Sequence, residues 1–395
     1  MRLLHTSDWH VGRTIRGRTR VDEHRAVLAE ICDVAQRESV DAVLVAGDLF
    51  DTGAPTAESE KVVWRALRAL SETVEHVVLV AGNHDNWRRL QAIEPLIDGS
   101  NIHTGAELSR PDQGGVLELT CAGQPLRVAL LPFLSQRGIV RAHDLMAKEG
   151  DQHGQSYSGR VKLIVDALTA GFTPESVNVV LAHLTVASGQ PVMGGGERAA
   201  HTIFDYVVSP GTFPATASYV ALGHLHKAHK IPGAAPLWYC GAPLALDFGE
   251  VDEPRGVLLV DVEPYLPAKI QKVELTTGRR LRTLKGTVAQ IRDQLAETPG
   301  LATDSWVRVV VQEPGRAGLG EEVRSFLPDA VDVAVERPED AEQADAEVEQ
   351  WGLQEFHRSP VELVADYLAT EGIEDERLTT LFHQLLEDAH APEQA

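Results

Sequence analysis

Seven short apolar runs, each closed by turn residues, dominate the first 270 residues of this 395-residue chain. They are RLLHT at 2–6, DAVLVAGD at 41–48, HVVLVAGN at 76–83, RVALLPF at 127–133, NVVLAH at 178–183, YVALGH at 219–224 and GVLLVDV at 256–262. Val and Leu fill them with little polar alternation, the pattern of strands covered on both faces. Helical spacing of apolar residues appears between several of them: Val27, Ile31 and Val34 within 22–38, and Val62, Val63, Ala66, Leu67 and Leu70 within 57–70. Strand alternating with helix predicts a layered α/β architecture.

The stretch 101–133, with a Gly-rich turn at Asp112–Gly115, reads as additional antiparallel strands, and 187–202 reads as a loop around Gly194–Gly196. Past Val262 the pattern shifts. Strand-like runs at 269–284, 306–312 and 331–336 surround a helical segment at 286–297 and predict a small second α/β domain. The domain boundaries expected are 1–272 and 275–350, with a C-terminal segment at 358–391 holding two short amphipathic helices, 360–371 and 377–388.

A hydrophobic content of 43% supplies a real core and excludes a mainly disordered chain. No apolar run approaches the ~18 residues of a membrane span, and the start MRLLHTSDWH turns polar too early for a signal peptide. Cys32, Cys121 and Cys240 form no CxxC pair, which argues against a cysteine–zinc site and fits a reducing cytoplasm. The net charge of −22 argues at first against nucleic acid. From Glu321 onward, however, 21 acidic residues face four arginines, so most of the excess sits in the last fifth of the chain. The body is close to neutral and is free to carry a local cationic patch, such as Arg13, Arg16, Arg18 and Arg20.

The chemistry lies where the apolar runs stop. Asp8 and His10 follow the first, Asp48 and Asp51 the second, and Asn83, His84 and Asp85 the third; His183 ends a later run, and His224 and His226 follow another. Each motif alone is ordinary, since Gly-Asp and Asn-rich tetrapeptides are common turns. Five in order, each beyond a buried strand, point to one region, because functional groups collect beyond the carboxyl ends of strands in open α/β sheets. Imidazole, carboxylate and amide ligands without thiolate suit Mn²⁺, Fe²⁺ or Zn²⁺. Seven candidate ligands exceed the needs of one ion and match two that share a carboxylate. That arrangement clamps in-line displacement at phosphorus and implies a phosphate-ester hydrolase.

The series SDWH at 7–10, GDLFD at 47–51, GNHD at 82–85, AHL at 182–184 and GHLH at 223–226 resembles the calcineurin-like metallophosphoesterase superfamily. The longer strings HTSDWHVGR and VAGDLFDTGAP, with the C-terminal extension, are similar to the Mre11-type nuclease subunits of bacterial SbcCD complexes. The resemblance runs over nearly the whole chain and is most specific in the first 270 residues. It implies a layered α/β sandwich core, a small α/β capping domain over 275–350 and partner-binding helices over 358–391. It places Asp8, His10, Asp48 and His226 on one divalent ion and Asp48, Asn83, His183 and His224 on the other, with Asp48 bridging. Mn²⁺ is the expected ion, with Mg²⁺, Fe²⁺ or Zn²⁺ as alternatives. His84 would act at the leaving oxygen as proton donor or transition-state stabiliser, oriented by Asp85. Asp51 stands where some relatives carry a histidine that helps place the DNA strand, so no catalytic histidine is expected there.

The function implied is DNA phosphodiester hydrolysis in repair and recombination, as a 3′-to-5′ exonuclease on duplex ends and an endonuclease on single strands and hairpins. Arg13, Arg16, Arg18 and Arg20 would meet DNA phosphates, and Trp9 would pack the first motif. Implied partners are DNA and an SbcC-like (Rad50-type) ATPase, which would use the ATP because this chain lacks a GxxxxGK[ST] loop. A homodimer within a heterotetramer is implied, with the helices near 57–70 and 87–98 at its axis, in a cytoplasmic, nucleoid-associated setting without a membrane. A small-molecule or cyclic-nucleotide phosphodiesterase of the same superfamily is the alternative. Such an enzyme needs neither the arginine run nor the residues past the core.

Overall fold

The computed structural model describes residues 1–135, 138–139, 156–187, 207–251, 254–298 and 300–336. In chain order the main strands through the middle of the chain are β1 (Arg2–Thr6), β2 (Ala42–Val45), β3 (His76–Val80), β4 (Ile102–Gly105), β5 (Val116–Cys121), β6 (Gln124–Leu131) and β7 (Val177–His183). They are followed by β8 (Tyr219–Gly223), β9 (His229–Ile231), β10 (Leu237–Tyr239), β11 (Gly256–Asp261) and β12 (Lys269–Glu274), then β13 (Arg280–Gly286), β14 (Ser305–Val311) and β15 (Asp332–Val335). The principal helices are α1 (Val21–Arg37), α2 (Ala57–Ser71), α3 (Trp87–Ile97), α4 (Tyr157–Thr169), α5 (Val288–Glu297) and α6 (Leu319–Phe326).

Two six-stranded sheets make the body, in the orders β12-β11-β1-β2-β3-β4 and β9-β10-β8-β7-β6-β5. In the first, β1 to β4 run parallel and β11 pairs antiparallel with β1, Leu3 opposite Val260. In the second, β6, β7, β8 and β10 are parallel and β5 and β9 are antiparallel edges. Alternate side chains along each strand point to opposite faces, and this sorts the apolar runs into layers. Leu3, Leu44, Val78, Val80 and Val260 of the first sheet pack against Leu126, Val128, Val179, Leu181 and Ala221 of the second. The other face of the first sheet, with Leu4, Val43, Val45, Val77 and Leu79, is covered by Val27, Ile31, Val62 and Leu67 of α1 and α2. The outer face of the second, with Ala129, Val180, Ala182 and Leu222, is covered by Val161, Ile164 and Leu168 of α4. Each fully buried Leu or Val contributes roughly 1.5–3 kcal/mol, so runs without polar alternation are what a sheet sandwiched on both sides requires.

The expected strands and helices of this body form where the sequence places them, with one difference in 101–133. The hairpin β5–β6 is antiparallel as expected, but β4 extends the first sheet in parallel to β3, Val77 opposite Ile102. The run 269–284 also divides. Its first part, β12, closes the edge of the first sheet beside β11. The chain then turns at Gly278, in the left-handed region at φ +99°, and its second part, β13, opens a new sheet. That small sheet, β13-β14-β15, is parallel throughout. It buries Leu284, Val307, Val309 and Val311 against Ile291 of α5 and Val323 of α6. A capping box, Thr287 with Gln290, starts α5.

Two carboxylates of α1 hold this small unit to the body. Glu30 accepts hydrogen bonds from the Thr276 and Thr277 backbone N–H groups, each at 2.8 Å, and Glu23 accepts from Trp306 Nε1 at 2.7 Å. Ile15, Phe248 and Leu281 form an apolar seam between the two. The loop expected at 187–202 lies outside the described residues beyond Ala187, as does everything past residue 336, including the helices expected at 360–371 and 377–388. No described helix is long and apolar enough to cross a membrane.

Candidate metal centre

The parallel strands of the two sheets end at the same edge of the sandwich, so β1, β2 and β3 deliver their following residues opposite those of β7 and β8. Asp8, His10, Asp48, His183, His224 and His226 are all buried there. Donor atoms of Asp8, His10 and His226 lie within 4.8 Å of one another, as do those of Asp8, Asp48 and His183, and those of His10, Asp48 and His84. Asp48 Oδ2 is 3.4 Å from His10 Nε2 and 3.5 Å from His183 Nε2, which puts it between two imidazoles from different sheets. Asn83 Oδ1 lies 2.9 Å from both His183 Nε2 and His224 Nδ1. The structure therefore brings together every ligand expected from the sequence, with Asp48 in the middle.

The backbone is bent to achieve this. Asp8, His10 and Asp48 have φ of 53°, 43° and 53°, and His224 has φ 108°, a region side chains rarely enter and one that clusters at functional sites. The loops hold one another in place: His10 N–H donates to the Asp48 carbonyl at 3.0 Å, His84 N–H to Asp48 Oδ1 at 2.9 Å, and His224 N–H to Asp8 Oδ1 at 3.1 Å. Glycine precedes the ligands where backbones come closest. A Cβ on Gly82 would sit 2.1 Å from Asp48 Oδ1, and one on Gly223 would sit 1.8 Å from the Ala46 carbonyl oxygen.

Burial keeps two of the imidazoles, those of His10 and His183, neutral. It pushes His10 down to about 4 and lowers His183, so both present lone pairs near neutral pH. His183 Nδ1 donates to the Ala46 carbonyl at 2.7 Å, which leaves Nε2 for the centre. Neither ring nitrogen of buried His10 has a hydrogen-bond partner, and Asp51 Oδ1 stands 3.6 Å from its Nδ1. Orphaned buried nitrogens are costly. A divalent ion among these atoms would remove that cost, and the oxygen-and-imidazole set fits a hard or borderline cation. The residues present thus fit two divalent ions.

His84 borders the cluster, its ring 4.8 Å from that of His10 and nearly perpendicular to it. Its orientation corrects one expectation. Asp85 does not orient His84: its buried carboxylate accepts the backbone N–H groups of Leu49, Phe50 and Gly82, at 3.2, 3.1 and 2.9 Å, and so ties the second motif to the third. His84 Nδ1 instead donates to the Asp51 carbonyl at 2.8 Å, leaving Nε2 for chemistry. No side-chain pattern marks a backbone carbonyl in that role. The Asp51 side chain stays charged beside the cluster. Burial acts to raise its carboxyl, but His10 and Arg13 outweigh that and hold it below the ordinary range.

The arginine run folds as a small hairpin with Thr14 opposite Thr19. Arg13 Nη1 lies 3.3 Å from Asp51 Oδ1, and Arg16 Nε lies 3.1 Å from Asp332 Oδ2 on β15 of the small sheet. Arg18 is exposed. Arg20 corrects the expectation of a phosphate contact: its side chain is buried, with Nη2 3.0 Å from Glu23 Oε2 and Nη1 2.6 Å from the Ala245 carbonyl. Trp9 packs, as expected, with its Nε1 donating to Thr6 Oγ1 at 2.9 Å. Residues that sequence reasoning missed include Phe133, whose ring stacks against His224 with centroids 6.4 Å apart, and Ser7, which hydrogen-bonds Asp8 Oδ2. The wall residue Phe133 lies at the end of an apolar run, where nothing distinguishes it from core.

Comparison with known proteins adds a family match. Residues 1–228 match the family described as Calcineurin-like phosphoesterase. The chain is similar to the D component of the nuclease SbcCD from Bacillus subtilis, at 33% identity over 81% of this chain and 81% of that one. The proteins of the same name from Rhodobacter capsulatus and Escherichia coli K12 are 36% and 31% identical. They cover 66% and 80% of this chain and 66% and 76% of their own lengths.

Proposed function

The chain belongs to the calcineurin-like phosphoesterase family, and on that premise we propose that it is the DNA nuclease subunit of an SbcCD-type complex. The single observation that carries the reading is the convergence of five strand ends on one buried centre of three carboxamide or carboxylate and four imidazole groups. The similarity to SbcCD nuclease subunits extends past residue 228 and so past the shared phosphoesterase core, which favours this over a small-molecule phosphodiesterase.

Asp8, His10, Asp48 and His226 would hold one divalent ion, and Asp48, Asn83, His183 and His224 the other, with Mn²⁺ the expected species. Bound there, the ions supply Lewis-acid activation of a water and neutralise the developing charge on the phosphate oxygens. The chain's own residues do the rest. Buried imidazoles fix the geometry before substrate arrives, so little reorganisation is needed in the transition state. His84, held through Nδ1 by the Asp51 carbonyl, would turn Nε2 toward the leaving oxygen and, as the doubly protonated imidazolium, would give its Nε2 proton to that oxygen or stabilise the charge developing on it. Hydrolysis of phosphodiester bonds at duplex ends, in the 3′-to-5′ direction, and within single strands and hairpins is the activity proposed.

The small domain over 275–350 would cap the DNA, Arg13, Arg16 and Arg18 would meet its phosphates, and the C-terminal helices would dock on an SbcC-like (Rad50-type) ATPase. Dimerisation through α2 and α3 within a heterotetramer is supported by Leu96, 82% exposed on α3, and by a cleft between the two helices that Trp64 and Ile93 line. A cytoplasmic, nucleoid-associated site follows from the substrate. The test is degradation of an end-labelled duplex and a labelled hairpin by the full chain, alone and with its ATPase partner, in Mn²⁺ and in EDTA. Mn²⁺-dependent cleavage that EDTA abolishes is expected. Hydrolysis of small phosphodiesters without cleavage of DNA, even with the partner present, would overturn the DNA reading.

A further inference from the structure

Glu250 lies outside every motif that marks the metal centre, 24 residues beyond His226, at the end of a short turn Phe248–Glu250. Its carboxylate is buried, and Oε1 is 2.8 Å from His226 Nδ1. Oε2 accepts the Leu246 backbone N–H at 3.0 Å and lies 3.1 Å from Arg255 Nη2. Arg255 also donates through Nη1 to the His226 carbonyl at 2.9 Å. The pair Glu250–Arg255 thus grips His226 by ring and backbone together.

A carboxylate accepting Nδ1–H fixes the tautomer of the imidazole, aims Nε2 at the centre and makes that nitrogen a better donor. The equivalent position behind His183 is taken by a backbone carbonyl, that of Ala46 at 2.7 Å, which is a neutral dipole. His226 and His183, one imidazole from each half of the centre, therefore differ in what stands behind them. His226 has a full charge behind it and His183 has not, and Asp51 adds a second carboxylate behind His10.

We propose that Glu250 is a positioning residue for His226 and that it makes the Asp8–His10–His226 position the tighter of two unequal divalent-ion positions. The inference rests on the two-metal reading above and deepens it. It is tested by titrating Mn²⁺ into the metal-stripped full chain by calorimetry, for wild type and Glu250→Gln, with melting of both in EDTA alongside. Gln keeps the volume and an acceptor oxygen but removes the charge. The expected result is two unequal steps in wild type. In Glu250→Gln the tighter step weakens about 10- to 100-fold, the looser step is unchanged, and metal-free melting stays near wild type.

An unchanged tighter step, or both steps weakened alike, would overturn the proposal; a merely structural role would give the second pattern together with lower metal-free melting. If Glu250→Gln fails to fold, Arg255→Lys loosens the same grip while keeping a cation, and must weaken the tighter step selectively for the proposal to stand. Absence of any Mn²⁺ uptake by wild type would remove the two-metal reading itself and this inference with it.

Discussion

The first metal motif ends at His10 and the arginine hairpin begins three residues later at Arg13, and both look functional as strings of residues. In the fold they differ in what the rest of the chain brings to them. At the centre, five strand ends from two sheets bring acceptors and lone pairs face to face, and the hydrogen bonds among the loops fix backbone more than they consume ligand atoms. At the hairpin, three of four guanidinium groups already have a carboxylate: Asp51 for Arg13, Asp332 for Arg16 and Glu23 for Arg20. Density of one residue type along a chain is therefore weak evidence of a site. Convergence of different types from distant segments, with ligand atoms turned toward one another, is strong evidence.

The largest test of that contrast is Gly82→Ala. Its Cβ would enter the Asp48 carboxylate, so the centre should lose Mn²⁺ uptake and cleavage should fall on the order of 10³-fold, several kcal/mol of transition-state stabilisation. Ordinary Mn²⁺ stoichiometry in that variant would mean that the close approach is not needed.

Next is the response of metal-free protein to acid. Burial pushes His5 down to about 3 and His24 to about 4, and neither is a ligand. The unfolded chain takes up protons at these groups below about pH 6.5 while the folded chain does not, so stability falls as pH drops from there toward 4. The loss expected from His24 alone is on the order of 3 kcal/mol, read from denaturant melts in EDTA. A flat profile between pH 6.5 and 4.5 would contradict neutral burial of these rings.

At the hairpin, Arg20→Ala should cost about 3 kcal/mol of stability, because it leaves Glu23 without one partner of a buried pair, and should leave the salt dependence of DNA binding unchanged. The smallest effect belongs to Arg18→Ala: unchanged melting, and a decrease of about one in the slope of log affinity against log salt. If Arg20→Ala rather than Arg18→Ala changed that slope, the division of the hairpin into structural and solvent-facing arginines would be wrong.

Much of the body was legible because buried parallel strands leave long Val and Leu runs, and because each ligand sits directly after one of them. Legibility ended where a role depends on a partner remote in sequence. Asp85 looked like the residue to orient His84, since the two are neighbours; in space it accepts three backbone N–H groups, and a carbonyl orients His84. Arg20 looked like its three neighbours until Glu23 and Ala245 claimed it. The break in 269–284 was hidden because β12 and β13 share composition, and only Gly278 at φ +99° separates the edge of one sheet from the start of another. Glu250 carried no signal at all, since its partner His226 lies 24 residues away.

The central claim is that the strand-end cluster is a two-metal hydrolytic centre in which His84 serves the reaction and not the ions, although its ring nitrogen lies within the same 4.8 Å grouping as His10 and Asp48. The most direct measurement pairs Mn²⁺ stoichiometry with DNA cleavage for wild type and His84→Ala. Two bound Mn²⁺ are predicted in both proteins, with cleavage reduced roughly 10²- to 10⁴-fold in the variant. Loss of a bound ion in His84→Ala, or cleavage at the wild-type rate, would contradict it.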